Sequence, residues 1–265
     1  MRCRRWLTPF VSLLLLSCVT TTRMNTGFLD RSVTIHGTAY PYAVYVPRDY
    51  DPSHAWPVIL FLHGAGERGN DGLRSSAIGL GNAIRFAPDR FPAIVVFPQA
   101  PTETRWLGDP ADAAMLALDQ SMREFHGDPD RVYLTGLSMG GYGTWHLGMA
   151  HPERWAALAV VCGGLVPHPT TTSVRRSPLL PPEPADPYPF AAHGVRALPI
   201  RIFHGADDQT IPAEESRRMF AELQKEGAPD VQYVEYPGVG HDAWTRAYGD
   251  AELWKWMFAQ RKGGK

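Results

Sequence analysis

The sequence predicts an α/β fold: a mostly parallel, twisted sheet with helices on both faces. Three observations predict it. Short apolar runs of strand length alternate with longer stretches of helical periodicity. Two of those runs, Val58–Leu62 and Ala93–Phe97, are apolar without a break, as expected of strands covered on both faces. A serine bracketed by glycines stands between one such run and a helix.

The elements follow in chain order. Residues 1–18 have a positive start at Arg2, Arg4 and Arg5 and a short apolar run from Phe10 to Leu16. That is the layout of a signal peptide, and the run is too short to span a bilayer. Its end, Leu15-Leu16-Ser17-Cys18, resembles a bacterial lipobox, in which the cysteine carries lipid. Cys18 is therefore a lipidation candidate; a plain signal cut a few residues later is the alternative. The expectation is export to a bacterial cell envelope, facing the periplasm or exterior, with membrane contact only through that lipid. Residues 19–30 read as a polar tether and residues 31–262 as one domain.

Within the domain, strands are expected at Tyr42–Val46, Val58–Leu62, Ala93–Phe97, Val132–Thr135, Leu158–Cys162, Ile200–Phe203 and Val231–Tyr236. Helices are expected at Asp112–Phe125, Gly141–Ala150, Ala213–Glu226 and Ala251–Gln260. In the first of these, Met115, Leu116, Leu118, Met122 and Phe125 form one apolar stripe. Pro212 stands at the start of the third, where a missing N–H does no harm. The stretch 165–198 breaks the pattern. It holds eight of the chain's 24 prolines, which excludes a long helix or a central strand. It reads as an insertion, either a flap beside the site or a surface loop without a role.

Composition narrows the function. The 265 residues are 44% hydrophobic, ample for a core, and 26 basic residues balance 27 acidic ones. No basic excess exists to neutralise phosphates, so nucleic acid is not an expected partner. Cys3, Cys18 and Cys162 are the only cysteines. Two lie in the signal region, so no internal disulfide is expected, and Cys162 reads as a buried hydrophobe. No Cys pair and no His pair with a helical glutamate has metal-ligand spacing, so a metal is not expected.

The chemistry centres on Gly136-Leu137-Ser138-Met139-Gly140. It follows a strand and opens a helix, the setting of a nucleophile elbow. A serine hydroxyl needs a base, and the base needs an orienting carboxylate. In this architecture the chain order is serine, acid, histidine. Downstream, His204-Gly205-Ala206-Asp207-Asp208 and Gly238-Val239-Gly240-His241 each follow a strand, at the sheet edge where such folds place ligands. The expected catalytic residues are Ser138, Asp208 and His241, with Asp207 as the fallback acid. The remaining histidines read as structural or surface residues; His63 and His204 are expected to serve loop backbones. An oxyanion hole needs two aimed donors. Met139 N–H supplies one; the loop His63-Gly64-Ala65-Gly66-Glu67-Arg68-Gly69 supplies the other, assigned to Ala65 with Gly64 as its neighbour. Trp106 and Trp244 are candidate walls of the substrate pocket. Glu67 and Arg68 either meet substrate or pair with each other.

With these residues in view, the chain resembles an α/β-hydrolase. It is similar to the carboxylesterase-like branch that includes phospholipase/carboxylesterases, polyhydroxybutyrate depolymerase-like and feruloyl esterase-like proteins. LFLHGAGERG, VYLTGLSMGGYGTW, FHGADDQTIP and YPGVGHDAW carry the resemblance. It implies the α/β-hydrolase fold, a small-molecule ester as substrate and no cofactor. It puts the serine on Ser138, the histidine on His241 and the acid on Asp208 rather than Asp207. It also implies a serine esterase working through an acyl-enzyme. The alternatives are a serine peptidase of the prolyl oligopeptidase type and an inactive envelope binding protein on the same scaffold.

Overall fold

The computed structural model describes residues 25–168, 174–183 and 185–263. The signal region, Cys18 and half of the tether, residues 19–24, lie outside the described residues. Eight strands form one sheet: β1 (Gly27–Ile35), β2 (Thr38–Val46), β3 (Trp56–Leu62), β4 (Ile94–Pro98), β5 (Gly127–Leu137), β6 (Ala157–Val161), β7 (Ile200–Gly205) and β8 (Val231–Tyr236). Their spatial order is β1-β2-β4-β3-β5-β6-β7-β8. The β1–β2 and β2–β4 pairs are antiparallel; all later pairs are parallel.

Among the described residues seven helices cover it: α1 (Leu80–Phe86), α2 (Asp109–Glu124), α3 (Met139–Ala150), α4 (Pro187–Val195), α5 (Glu214–Lys225), α6 (Trp244–Gly249) and α7 (Ala251–Ala259). Alternation along the strands sorts the core into two layers. Val58, Leu60 and Leu62 of β3 join the layer containing Ala117, Trp145, Ala191 and Met219, from α2, α3, α4 and α5. Ile59 and Phe61 join the opposite layer with Leu80, Tyr248 and Trp254, from α1, α6 and α7. Both faces of the central strands are therefore dry, which is why they read as unbroken apolar runs.

Two expectations need correction. The tether 19–30 is too long, because β1 begins at Gly27. Nearly all of that edge strand is only partly buried or exposed, so its sequence lacks a clear apolar face. The insertion 165–198 contains a nine-residue helix, α4, capped by Asp186, whose side chain accepts the Tyr188 N–H. Pro187 occupies the first turn, where proline needs no N–H partner. The described parts of the segment also pack closely. Val174 and Leu180 are buried in the main core layer, and the Tyr142 hydroxyl donates to the Val166 carbonyl at 3.0 Å.

Candidate active site

The site is assembled from loops at the carboxyl ends of β3, β5, β7 and β8. Ser138 lies between β5 and α3 with φ 53° and ψ −119°, a region that non-glycine residues seldom adopt. Its neighbours explain how the turn is held. A Cβ at Gly140 would overlap the Leu62 carbonyl. One at Gly141 would sit 2.6 Å from the Gly163 Cα. The Ser138 N–H donates to the Val161 carbonyl at 2.9 Å. The nucleophile turn is thus wedged between β3 and β6 by backbone contact, and the first amides of α3 lie directly after the hydroxyl-bearing residue.

The structure brings Ser138, His241 and Asp208 together. His241 Nε2 is 2.8 Å from Ser138 Oγ, and His241 Nδ1 is 2.7 Å from Asp208 Oδ2. The loops that carry His241 and Asp208 are joined by their backbones: Asp207 N–H donates to the Val239 carbonyl at 2.9 Å. Asp208 is buried and Asp207 exposed, and the carboxylate bonded to the ring is that of Asp208. Asp208 Oδ1 accepts the N–H groups of Thr210 and Ile211 at 2.8 and 3.0 Å. Burial alone would raise this carboxyl's pKa. Hydrogen bonds from His204, His241 and Ile211 outweigh it and hold the group well below the usual carboxylate range.

His204 is the residue the sequence reading missed. The loop-backbone role expected of it is present, and a contact with the acid, which the sequence did not suggest, is added to it. Its fully buried ring places Nε2 2.9 Å from the Ile211 carbonyl and 3.2 Å from Asp208 Oδ2. Both neighbours only accept, so this nitrogen carries the proton. On the other side Nδ1 meets the Ser216 hydroxyl at 2.7 Å. Two imidazoles therefore face one carboxylate oxygen.

His63 has the backbone role expected of it. Its Nε2 accepts the Ala100 N–H at 3.0 Å, and Nδ1 donates to the Gly64 carbonyl at 2.6 Å. Burial pushes its pKa down to about 4, so the ring is neutral near pH 7. Trp106 donates its indole N–H to the His63 carbonyl at 3.0 Å. The following loop makes a single 3₁₀ turn, Ala65–Glu67. A Cβ on Gly64 would lie 3.6 Å from the Ser138 Cβ, so the loop backbone passes directly beside the nucleophile. Arg68 donates to the Ala65 carbonyl at 2.9 Å rather than reaching for Glu67. The Glu67 carboxylate turns back toward Gly64, and burial raises its pKa.

The two tryptophans occupy different places. Trp106 lines a narrow cleft together with Met139, Tyr142 and Gly143. Trp244 stands edge-on to His241, ring centres 5.4 Å apart, and can restrict that ring's rotation. Among the described residues, no group of His, Cys, Asp and Glu side chains is arranged to hold a metal ion.

Comparisons with known proteins follow this geometry. The prolyl oligopeptidase family model matches residues 182–263, the part that carries Asp208 and His241. An uncharacterized secreted protein of Arthroderma benhamiae is 27% identical over 242 residues, covering 83% of this chain and 25% of its own. Poly(3-hydroxyalkanoate) depolymerase C of Paucimonas lemoignei is 29% identical over 191 residues, 62% of this chain and 44% of its own. The chain thus spans less than half the length of these two relatives. Among solved structures, a thermostable esterase superposes with a TM-score of 0.68 at 29% identity, covering 88% of this chain and 63% of that one.

Proposed function

We propose that this chain, an α/β-hydrolase of the carboxylesterase-like branch, is a serine esterase that hydrolyses small carboxylic esters through an acyl-enzyme on Ser138. The observation that carries the reading is the unbroken contact from Asp208 through His241 to the Ser138 hydroxyl. Similarity to a depolymerase and to a solved esterase supports the reaction class.

The chemistry follows from the contacts. His241 Nε2 takes the Ser138 proton as Oγ bonds to the ester carbonyl carbon. The imidazolium is balanced by Asp208, which is held ionised by its donors. The negative oxygen of the tetrahedral intermediate faces the amides of Met139 and Ala65, fixed donors whose removal in such sites reduces rate by about 10²–10³. The intermediate collapses, His241 returns the proton to the departing alkoxide, and the acyl group stays on Ser138. A water oxygen then bonds to the acyl carbon as His241 takes its proton; the acyl–Oγ bond breaks, His241 returns the proton to Ser138 Oγ, and the carboxylic acid leaves. No cofactor enters the cycle. The same reading makes the protein an exported lipoprotein of a bacterial cell envelope, anchored through Cys18 after removal of residues 1–17; similarity to a secreted protein supports export.

Hydrolysis of 4-nitrophenyl acetate tests the reaction, with fluorophosphonate labelling as the test of the nucleophile. Wild type is expected to turn over and to label. Ser138→Ala is expected to lose about 10⁴-fold or more in kcat and to stay unlabelled. Equal labelling of the two proteins would overturn the assignment, and an unlabelled wild type would favour the binding-protein alternative. A peptidase reading has one observation in its favour, the match of residues 182–263 to the prolyl oligopeptidase family. A proline 4-nitroanilide assayed beside the acetate separates the two.

A further inference from the structure

Ser138, Asp208 and His241 sit at or just beyond the carboxyl ends of β5, β7 and β8. The described chain begins at the other edge of the sheet. β1 is antiparallel to β2, and β2 to β4, so β1 runs in the same direction as β4 and its parallel neighbours. Its first residue, Gly27, therefore lies at the amino ends of the strands. The register sets the offset. Phe28 is level with Tyr45, Tyr45 with Val95, Val95 with Ile59, and Ile59 with Tyr133. Ser138 comes five residues after Tyr133 and four strands across from β1. At ~3.3 Å per residue and ~4.8 Å per strand, it stands about 25 Å from the start of β1.

Phe86 marks the same edge as Gly27. It ends α1, the helix before β4, and Pro88 and Asp89 share one surface hollow with Thr26 and Gly27. Arg85 ties the two segments together: its guanidinium lies 4.1 Å from the centre of the Phe28 ring and donates to the Ser76 carbonyl. Phe86 itself is 90% exposed, more than any other large hydrophobic side chain among the described residues. Around it opposite charges offset. Arg48 pairs with Asp89 at 3.0 Å, and Arg90 donates to the Gly249 carbonyl at 3.1 Å. One exposed phenyl ring is ordinary in itself; its place beside the chain's entry gives it a partner. A lipid on Cys18 would hold this edge, and not the edge with Ser138, next to a bilayer. There an apolar side chain buries about 5–10 Å into the boundary of headgroups and acyl chains.

We propose that the protein rests on the bilayer by the amino-end edge of its sheet, with Phe86 in the headgroup boundary, so that the site opens away from the membrane and takes water-borne esters rather than the lipids beneath it. This deepens the reading of an anchored serine esterase and rests on it.

The test uses the whole lipoprotein, recovered from the membranes of a producing bacterium and reconstituted in phosphatidylcholine vesicles. A fluorophore is attached at Phe86→Cys or at Leu73→Cys. Leu73 is also exposed but belongs to the site's edge, since the neighbouring Gly72 N–H donates to Gln99, just past the carboxyl end of β4. Cys162 is buried and does not take the label. Spin-labelled lipids are expected to quench the fluorophore at 86, shallow labels more than deep ones, and to leave it bright at 73. A fluorophosphonate on a lipid tail held in the vesicles is expected to label Ser138 at least about tenfold more slowly than a water-soluble one, relative to the same pair in detergent, because the geometry forbids engagement. Phe86→Asp is expected to narrow that gap while turnover of 4-nitrophenyl acetate stays unchanged. Equal quenching at 73 and 86, or none at 86, would overturn the proposal, as would labelling from the bilayer as fast as from water. A wild type that does not float with the vesicles strikes the anchor, and this proposal with it. A floating protein that no phosphonate labels strikes the esterase reading, and the quenching then decides the orientation.

Discussion

The turn at Ser138 and the loops that bear Asp208 and His241 are built by opposite means. Around Ser138 backbone presses on backbone: Gly140 on the Leu62 carbonyl and Gly141 on Gly163. Around Asp208 the holding is done by side-chain hydrogen bonds from His204, His241 and two backbone amides. The first arrangement fixes a position and the second fixes a charge. Damage to the turn should therefore appear as lost stability. Damage to the acid loop should appear as lost rate and a displaced pH profile.

The largest expected effect lies on the charge side. Asp208→Asn should lower kcat by about 10⁴, as loss of the orienting acid does in related constellations, with a far smaller change in folding; steady-state kinetics beside thermal melts checks this. The position side comes next. In Gly140→Ala the new methyl has no room against the Leu62 carbonyl, so a loss of about 3 kcal/mol and a Tm drop of about 10 °C are expected in a thermal melt. A variant as stable as wild type would break the distinction.

The third prediction concerns His63, a buried ring that props the loop beside Ser138. Its folded pKa of about 4 lies below the unfolded value of about 6.5. As pH falls below 6.5 the unfolded chain takes up a proton that the folded protein does not. Its contribution to stability is whole above pH 6.5 and declines down to pH 4. Between pH 7 and 4.5 the decline should be about 2–3 kcal/mol. Urea titrations at the two pH values should show that increment in wild type and not in His63→Gln.

The smallest effect sharpens the comparison. His204→Leu removes one donor from Asp208 while keeping the volume. The carboxylate pKa should rise and kcat should fall about tenfold, with the acid limb of the kcat/KM profile moved to higher pH. His204→Gln, which keeps an N–H, should recover part of the rate. A uniform fall with an unmoved profile would assign His204 to packing alone.

The central sheet was legible because its strands are dry on both faces; Val58–Leu62 and Ala93–Phe97 show this in composition alone. Ser138 was legible because the glycines around it answer to steric contacts that recur wherever a strand turns so sharply into a helix. The choice of Asp208 over Asp207 needed the resemblance, since adjacent aspartates look alike until one is buried. The edge strand β1 was hidden because Asp30 and Arg31 sit in its middle and most of its side chains meet water. Helix α4 was hidden by its own prolines, which the first turn tolerates. His204 was hidden because its contact depends on how the loop after β7 folds back from Ile211, and no periodicity encodes that.

The early start of β1 also sets a leash. If Cys18 carries lipid, only eight residues, 19–26, precede the folded sheet. At ~3.4 Å per residue that chain reaches no more than about 27 Å. The enzyme would then patrol a thin layer above the bilayer, and bulky polymeric esters would have to come to that layer to be cut.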